Sequence, residues 1–340
     1  MKNMISLIVV LSGLLLIAGC KRTDDMRIGF SLGPSHERWE RDIKFFAERI
    51  TNKGAMLFVA EADNSHEKQV EQVRELLKKN IDVLVIVPVD SHRAAGIVSL
   101  AHQHNIRVIA YDRIINDCDL DFYISFDNMR VGEMQAEYLT RIRPEGRYAI
   151  LGGDAGDNNS LQLRLGQMSI LQPFVESKRI SIVLDQYIGG WSDDEAFTLI
   201  DNYLESNPGG LDAIVASNDH IADGAFRALY KHGLARKVLL SGQDAEVNAC
   251  RRIIQGNQSM TVYKYIETMA TVSANTAIAL AKGEPVMNTQ LSINNGKIMV
   301  PSILLSSIVV VHPENLRMTV LADGYLDESI VFDMIPQTIE

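Results

Sequence analysis

The sequence predicts an α/β protein built as two doubly wound parallel-sheet lobes. Three observations lead there. Ten short runs rich in β-branched residues alternate with amphipathic stretches from about residue 26 to residue 282. Most of these runs are nearly continuous in apolar residues, as in strands buried on both faces. The 340 residues exceed the size at which one core usually stops growing, and ten strands are many for one twisted sheet.

The strand candidates, in order, are 27–32, 56–60, 82–87, 107–112, 122–126, 148–153, 180–184, 212–217, 237–242 and 260–264. Helical spacing fills the intervals at about 36–50, 66–79, 92–104, 128–141, 160–177, 193–206, 219–232, 245–255 and 265–282. In the second of these, Val70, Val73, Leu76 and Leu77 recur at three and four residues, while Glu67, Lys68, Glu71 and Lys78 take the other face. Ser65 is the expected N-cap. Short loops between repeated βα units define the doubly wound class.

Residues 1–19 fall outside this pattern. Lys2 precedes an apolar stretch from Ile5 to Ala18, and Ala18-Gly19-Cys20 follows the form of a lipobox. The stretch is too short to span a bilayer comfortably and has the length of a signal-peptide core. Residues 1–19 are therefore expected to be a lipoprotein signal peptide. Cys20 is expected to be lipidated, and 20–25 to form a polar tether holding an exported body at a membrane. The formal charge of −10 argues against nucleic acid as a partner. The spacing of Cys118 and Cys250 suggests no disulfide.

Ligands of open α/β sheets bind beyond the carboxyl ends of the strands. Polar residues collect there in both halves: Asp112-Arg113, Asp157-Asn158-Asn159, Asn218-Asp219, Gln243-Asp244 and Lys264. Any one of them could be a helix cap or an ion-pair residue; the recurrence of the set favours a binding site. The two tryptophans, Trp39 and Trp191, also sit beside strand or loop ends, the second next to Gly189-Gly190. Aromatic rings surrounded by Asp, Asn, Arg and Lys suit a sugar, with its apolar C–H faces and rim of hydroxyls.

At this point the residues resemble a known family. The segments ERW (37–39), VLVIVP (83–88), AYDRIIND (110–117), DFYISFDN (121–128), DNN (157–159), GGW (189–191), VASND (215–219), SGQDA (241–245), MTVYK (260–264) and NNG (294–296) are similar to those of periplasmic sugar-binding proteins of the ribose-binding type. DFYISFDN, DNN and TVYK point to the xylose-binding branch of that family. The resemblance runs from about Arg27 to beyond Tyr325. It implies that Trp39 and Trp191 stack on the two faces of a monosaccharide, D-xylose in that branch. It also implies that Arg38, Arg113, Asp157, Asn159, Asn218, Asp244 and Lys264 bond the hydroxyls and ring oxygen of the sugar.

The resemblance further implies hinge closure with three chain crossings, expected near Ser125–Asn128, Tyr263–Tyr265 and Asn294–Val300. The first lobe would comprise 26–126 plus 265–293, and the second 127–264 plus 294–340. The expected partner is an ABC permease, for which a membrane sensor kinase or chemoreceptor is the alternative. The protein is read as a monomer with no cofactor and no metal.

Enzyme chemistry has little support in the sequence. The eight His form no HExxH or zinc spacing, and no GxSxG elbow, Walker loop or complete GxGxxG occurs. Asp117, Asp119 and Asp121 alternate, but the Gly and distal Glu of a calcium loop are missing. Repressors with a similar sensor fold carry a DNA-binding helix-turn-helix in front, where this chain has its apolar leader.

Overall fold

A computed structural model describes residues 26–34, 37–287, 289 and 291–332. The expected signal peptide, Cys20 and the tether lie outside these residues, as does the expected end of the second lobe at 333–340.

The elements in chain order are β1 (Arg27–Leu32), α1 (Glu37–Asn52), β2 (Met56–Glu61), α2 (His66–Leu77), β3 (Val83–Val87), α3 (Ala95–Gln103), β4 (Arg107–Tyr111), β5 (Phe122–Phe126), α4 (Asn128–Ile142), β6 (Gly146–Gly152), α5 (Asn158–Glu176), β7 (Ile180–Tyr187), α6 (Asp193–Ser206), β8 (Ala213–Ala216), α7 (Asp219–Lys231), β9 (Leu239–Leu240), α8 (Val247–Ile254), β10 (Thr261–Lys264), α9 (Ile266–Lys282), β11 (Leu291–Asn294), β12 (Met299–Leu305), β13 (Ile308–Val311) and α10 (Glu328–Phe332). The ten expected strands and nine expected helices all form, most within a few residues of the expected bounds; β9 keeps only two residues of its run. Ser65 caps α2, its Oγ accepting from the Lys68 N–H.

Two parallel sheets organise these elements. The first has the order β11-β12-β5-β4-β3-β1-β2, parallel except for β11. The second has the order β7-β6-β8-β9 and is wholly parallel. Strands β3, β5 and β8 are buried along their whole length, as their unbroken apolar runs require. Among the described residues, no helix is long and apolar enough to cross a membrane.

The chain passes between the sheets at three adjacent places. Asp127 follows β5 and leads into α4, and Tyr265 follows β10 and leads into α9. The third passage differs from the expected one at 294–300. Residues 291–305 form the β11–β12 hairpin, and β12 pairs in parallel with β5. This segment therefore extends the first sheet, and the crossing falls at Ser306-Ser307, before β13 pairs with β10. The expected assignment of 294–340 to the second lobe is corrected accordingly for 294–305. Backbone hydrogen bonds tie the crossings together, Asp127 N–H to Leu305 O at 3.2 Å and Tyr265 N–H to Ser307 O at 3.1 Å.

Beyond β13 the chain forms a strap. Leu316, Val320, Tyr325, Leu326 and Val331 bury themselves in one cluster with Phe46 and Ile50 of α1 and with Ala245, Cys250 and Ile253 of the second half. The strap thus packs on both lobes close to the crossings.

Candidate functional site

All nine residues expected at the ligand site line one cavity between the carboxyl ends of the two sheets. Arg38, Trp39 and Arg113 come from the first lobe, and Asp157, Asn159, Trp191, Asn218 and Asp244 from the second, with Lys264 at a crossing. Asp112, Asn128, Gln243 and Glu246 complete the lining. The cavity encloses about 460 Å³ of space free of protein atoms, including the part open to solvent at its mouth.

The local sequence explains how each side chain gets there. Arg38 and Trp39 lie in the first turn of α1, directly after β1. Asp112 ends β4 with φ of 65° and Asp244 follows β9 with φ of 97°. Such left-handed backbone at a non-glycine residue costs energy and is kept only where its surroundings hold it. Asp112 is held by Ser125 Oγ–H, which donates to its carbonyl at 2.7 Å, and by its own N–H, which donates to Ile124 O at 2.7 Å.

Trp191 has φ of 59° and lies against Gly153. A Cβ at Gly153 would stand 2.2 Å from the indole, so the second Gly of the β6 terminus makes room for that ring. Asp154 clamps the neighbouring loops. It accepts from the Gly190 N–H at 2.6 Å and from the Gly156 N–H at 2.7 Å.

Two expected ligand groups are also helix caps. Asp157 Oδ1 accepts from the Asn159 N–H at the start of α5, and Asn218 Oδ1 accepts from the Ile221 N–H at the start of α7. Cap and ligand roles therefore share residues: one oxygen orients the side chain and leaves the other atom to face the cavity. In Asn218 the carbonyl serves the helix cap, and the NH₂ is left to donate into the cavity.

The electrostatics are those of a buried network of ion pairs centred on Arg38. Arg38 donates from Nη2 to Asp112 at 2.8 Å, from Nε to Asp42 at 3.2 Å and from Nη1 to Asp244 at 3.3 Å. Lys264 Nζ lies 2.8 Å from Asp244. Arg113 Nε lies 2.8 Å from Asp157 Oδ2, at ion-pair distance but without hydrogen-bond alignment. Asn159 Nδ2 donates to Asp112. Three of these links, Arg38–Asp244, Arg113–Asp157 and Asn159–Asp112, join one lobe to the other.

Burial would lift the Asp112 carboxyl, but Arg38, Lys264 and Arg113 together hold it below its ordinary range. Burial dominates at Asp157 and raises it despite Arg113. Behind the cavity, burial also lifts Asp42 to about 6. The three lining cations, Arg38, Arg113 and Lys264, pair closely with the carboxylates of Asp112, Asp157 and Asp244, an arrangement suited to a neutral polar ligand rather than an ion.

Four buried polar atoms of the lining lack a hydrogen-bond partner among the described residues: Asp157 Oδ2, Asn159 Oδ1, Trp191 Nε1 and Gln243 Oε1. Buried polar groups are nearly always satisfied, so a cluster of four in one cavity marks a ligand site with both acceptors and a donor. Sequence reasoning missed Asp112 and Gln243 as site residues. Each had been noted at a strand end beside a chosen neighbour, Arg113 or Asp244. Asn128 opens α4 and Glu246 caps α8, and neither position carries a sequence signal for the cavity. The three aspartates of 117–121 go to separate partners, His92, Lys297 and His102.

This fold and this site define a two-lobed extracytoplasmic binding protein, and residues 28–285 match the family described as the periplasmic binding protein domain. The chain belongs to that family. It is 42% identical to the D-xylose-binding periplasmic protein of Escherichia coli strain K12, over 95% of this chain and 98% of the relative. It is 39% identical to the D-xylose-binding periplasmic protein of Haemophilus influenzae, over 98% of this chain and all of the relative. A solute-binding protein of an ABC transporter from Clostridium phytofermentans, solved with bound β-D-glucose, superposes with a TM-score of 0.83 at 26% identity. That superposition covers 90% of this chain and 99% of the other. These relatives are sugar-binding receptors rather than enzymes.

Proposed function

We propose that the protein is an exported receptor that closes on one monosaccharide, D-xylose, and presents it to an ABC permease at the membrane. The single observation that carries the ligand class is the cluster of four unpartnered buried polar atoms, set beside two Trp and balanced ion pairs. In this reading Trp39 and Trp191 pack on the sugar ring. Asp157, Asn159, Asp244 and Gln243 accept from hydroxyls, while Arg38, Arg113, Asn218 and Lys264 donate to hydroxyl and ring oxygens. The likeness to two D-xylose-binding proteins supports xylose in particular.

Both lobes contribute ligand groups, so the sugar stabilises the form in which the lobes meet. The lipobox at Cys20 supports anchoring by lipid. Calorimetric titration of the mature protein with xylose, ribose, arabinose, glucose and galactose tests the ligand. Tightest binding of xylose is expected. Tighter binding of another sugar overturns the xylose assignment and keeps the class, and no heat with any of the five overturns both.

A further inference from the structure

The strap that follows β13 meets the backbone of the cavity residue Asp244 through Tyr325. Tyr325 lies 81 positions beyond Asp244, and its hydroxyl donates to the Asp244 carbonyl at 3.0 Å. The same hydroxyl accepts from Arg41 Nη1 at 3.2 Å, and the Arg41 guanidinium lies over the Tyr325 ring at 4.8 Å. On another side the ring packs against Tyr263 with centroids 4.6 Å apart. Tyr263 donates to Asp323 Oδ2, and Asp323 Oδ1 accepts from the Tyr325 N–H at 2.9 Å. The Tyr325 side chain is therefore fixed from α1, from β10 and from its own loop, and is 8% exposed.

Asp244 is the residue in most need of such support. Its φ of 97° lies outside ordinary L-residue backbone, and Ala245 follows at 53°. Its backbone is pinned at both polar groups: the N–H donates to Val262 O at 2.8 Å, and the carbonyl accepts from Tyr325. Its carboxylate then meets Arg38 and Lys264 on the cavity side. A rotation of this one residue would carry the carboxylate away from both cations and from the ligand position, because a strained backbone relaxes once its restraints are removed.

We propose that Tyr325 is a positioning residue for the ligand site: through the Asp244 carbonyl it holds the Asp244 carboxylate in the geometry that receives the sugar. The proposal rests on the sugar-receptor reading above. Tyr325 touches no ligand atom in this account. It couples the strap, and with it the contact to α1 of the first lobe, to a ligand group of the second lobe.

The test is Tyr325→Phe, which keeps the ring and removes one hydroxyl, compared with Tyr263→Phe, which removes a hydroxyl from the same aromatic cluster without touching Asp244. Sugar affinity is measured by calorimetry and Tm without sugar by thermal unfolding. Tyr325→Phe is expected to weaken binding about fivefold to tenfold, the scale of one lost buried hydrogen bond. Tyr263→Phe is expected to stay within about twofold, and both variants to keep Tm within about 2 °C, the shift that losing one hydrogen bond gives in a chain this long. Wild-type affinity in Tyr325→Phe overturns the proposal, and so does an equal loss in both variants, which would trace the effect to the strap as a whole. Failure of the wild-type protein to bind any of the five sugars is separate, and overturns the receptor reading on which the proposal rests.

Discussion

The two walls of the cavity are built on different principles. The first-lobe wall is made of guanidinium groups: Arg38 is held by three carboxylates, and Arg113 reaches across to Asp157. The second-lobe wall is made largely of helix caps, with Asp157 and Asn218 on helix N-termini, while positive-φ turns occur in both walls, at Trp191 and Asp244 here and at Asp112 opposite. All four unpartnered buried atoms of the lining belong to the second wall. The first wall is thus satisfied within the protein and fixes charge, whereas the second leaves its hydrogen-bonding capacity for a ligand. Neither half is electrostatically complete alone, since Arg38 and Arg113 find Asp244 and Asp157 only across the cleft.

The sharpest way to break this contrast is to empty the first wall. Arg38→Ala leaves Asp42, Asp112 and Asp244 without their shared cation in a buried place. The variant should lose about 3 kcal/mol or more of stability, the scale for an orphaned buried charge. Denaturant unfolding checks this, and a loss under about 1 kcal/mol would mean that Lys264 and solvent suffice.

The second wall is tested without touching charge. Gly153→Ala puts a methyl into the plane of contact with Trp191 and forces that ring to move. Affinity for the sugar should fall by about fivefold to tenfold, close to 1 kcal/mol, as aromatic packing on the ligand is lost. Unchanged affinity in calorimetry would assign Trp191 to structure alone.

A third test is a pH dependence under the second wall. Asp219 accepts from Gln258 Nε2 and Thr261 Oγ, each at 2.8 Å, and from the Glu246 N–H at 3.1 Å, tying the loop of Asp244 to β10. Burial pushes its carboxyl up to about 7. A native pKa above the unfolded value means that the folded protein keeps the proton longer. Asp219 therefore lowers stability as pH rises from about 4 to about 7, and is neutral below that window. Relative to Asp219→Asn, the wild-type protein should lose Tm between pH 4.5 and pH 7.5. A Tm difference between the two that does not change with pH would refute the raised pKa.

Much of this molecule was legible in sequence because buried parallel strands write themselves as continuous apolar runs, and ligand groups gather at their carboxyl ends. The hairpin at 291–305 was not legible. Its strands lie at a sheet edge with mixed burial, and Pro301 interrupts the apolar run of β12. Its placement moved the third crossing to 306–307. Asp112 stood in plain view beside Arg113, but nothing in a dipeptide says that both neighbours face a cavity. Asp112 is turned there by a positive φ and by Ser125, thirteen residues away.

The sequence alone determined the class of fold and the apolar leader, because each is set by local periodicity, and its resemblance to sugar-binding proteins pointed to the nine residues that converge on the cavity. Only the tertiary structure decided which atoms of those residues remain unpartnered, how Arg38 is shared among three acids and how Tyr325 meets Asp244. Those features depend on contacts between segments far apart in the chain, and burial gives such contacts their strength by removing the water that would otherwise satisfy the same groups.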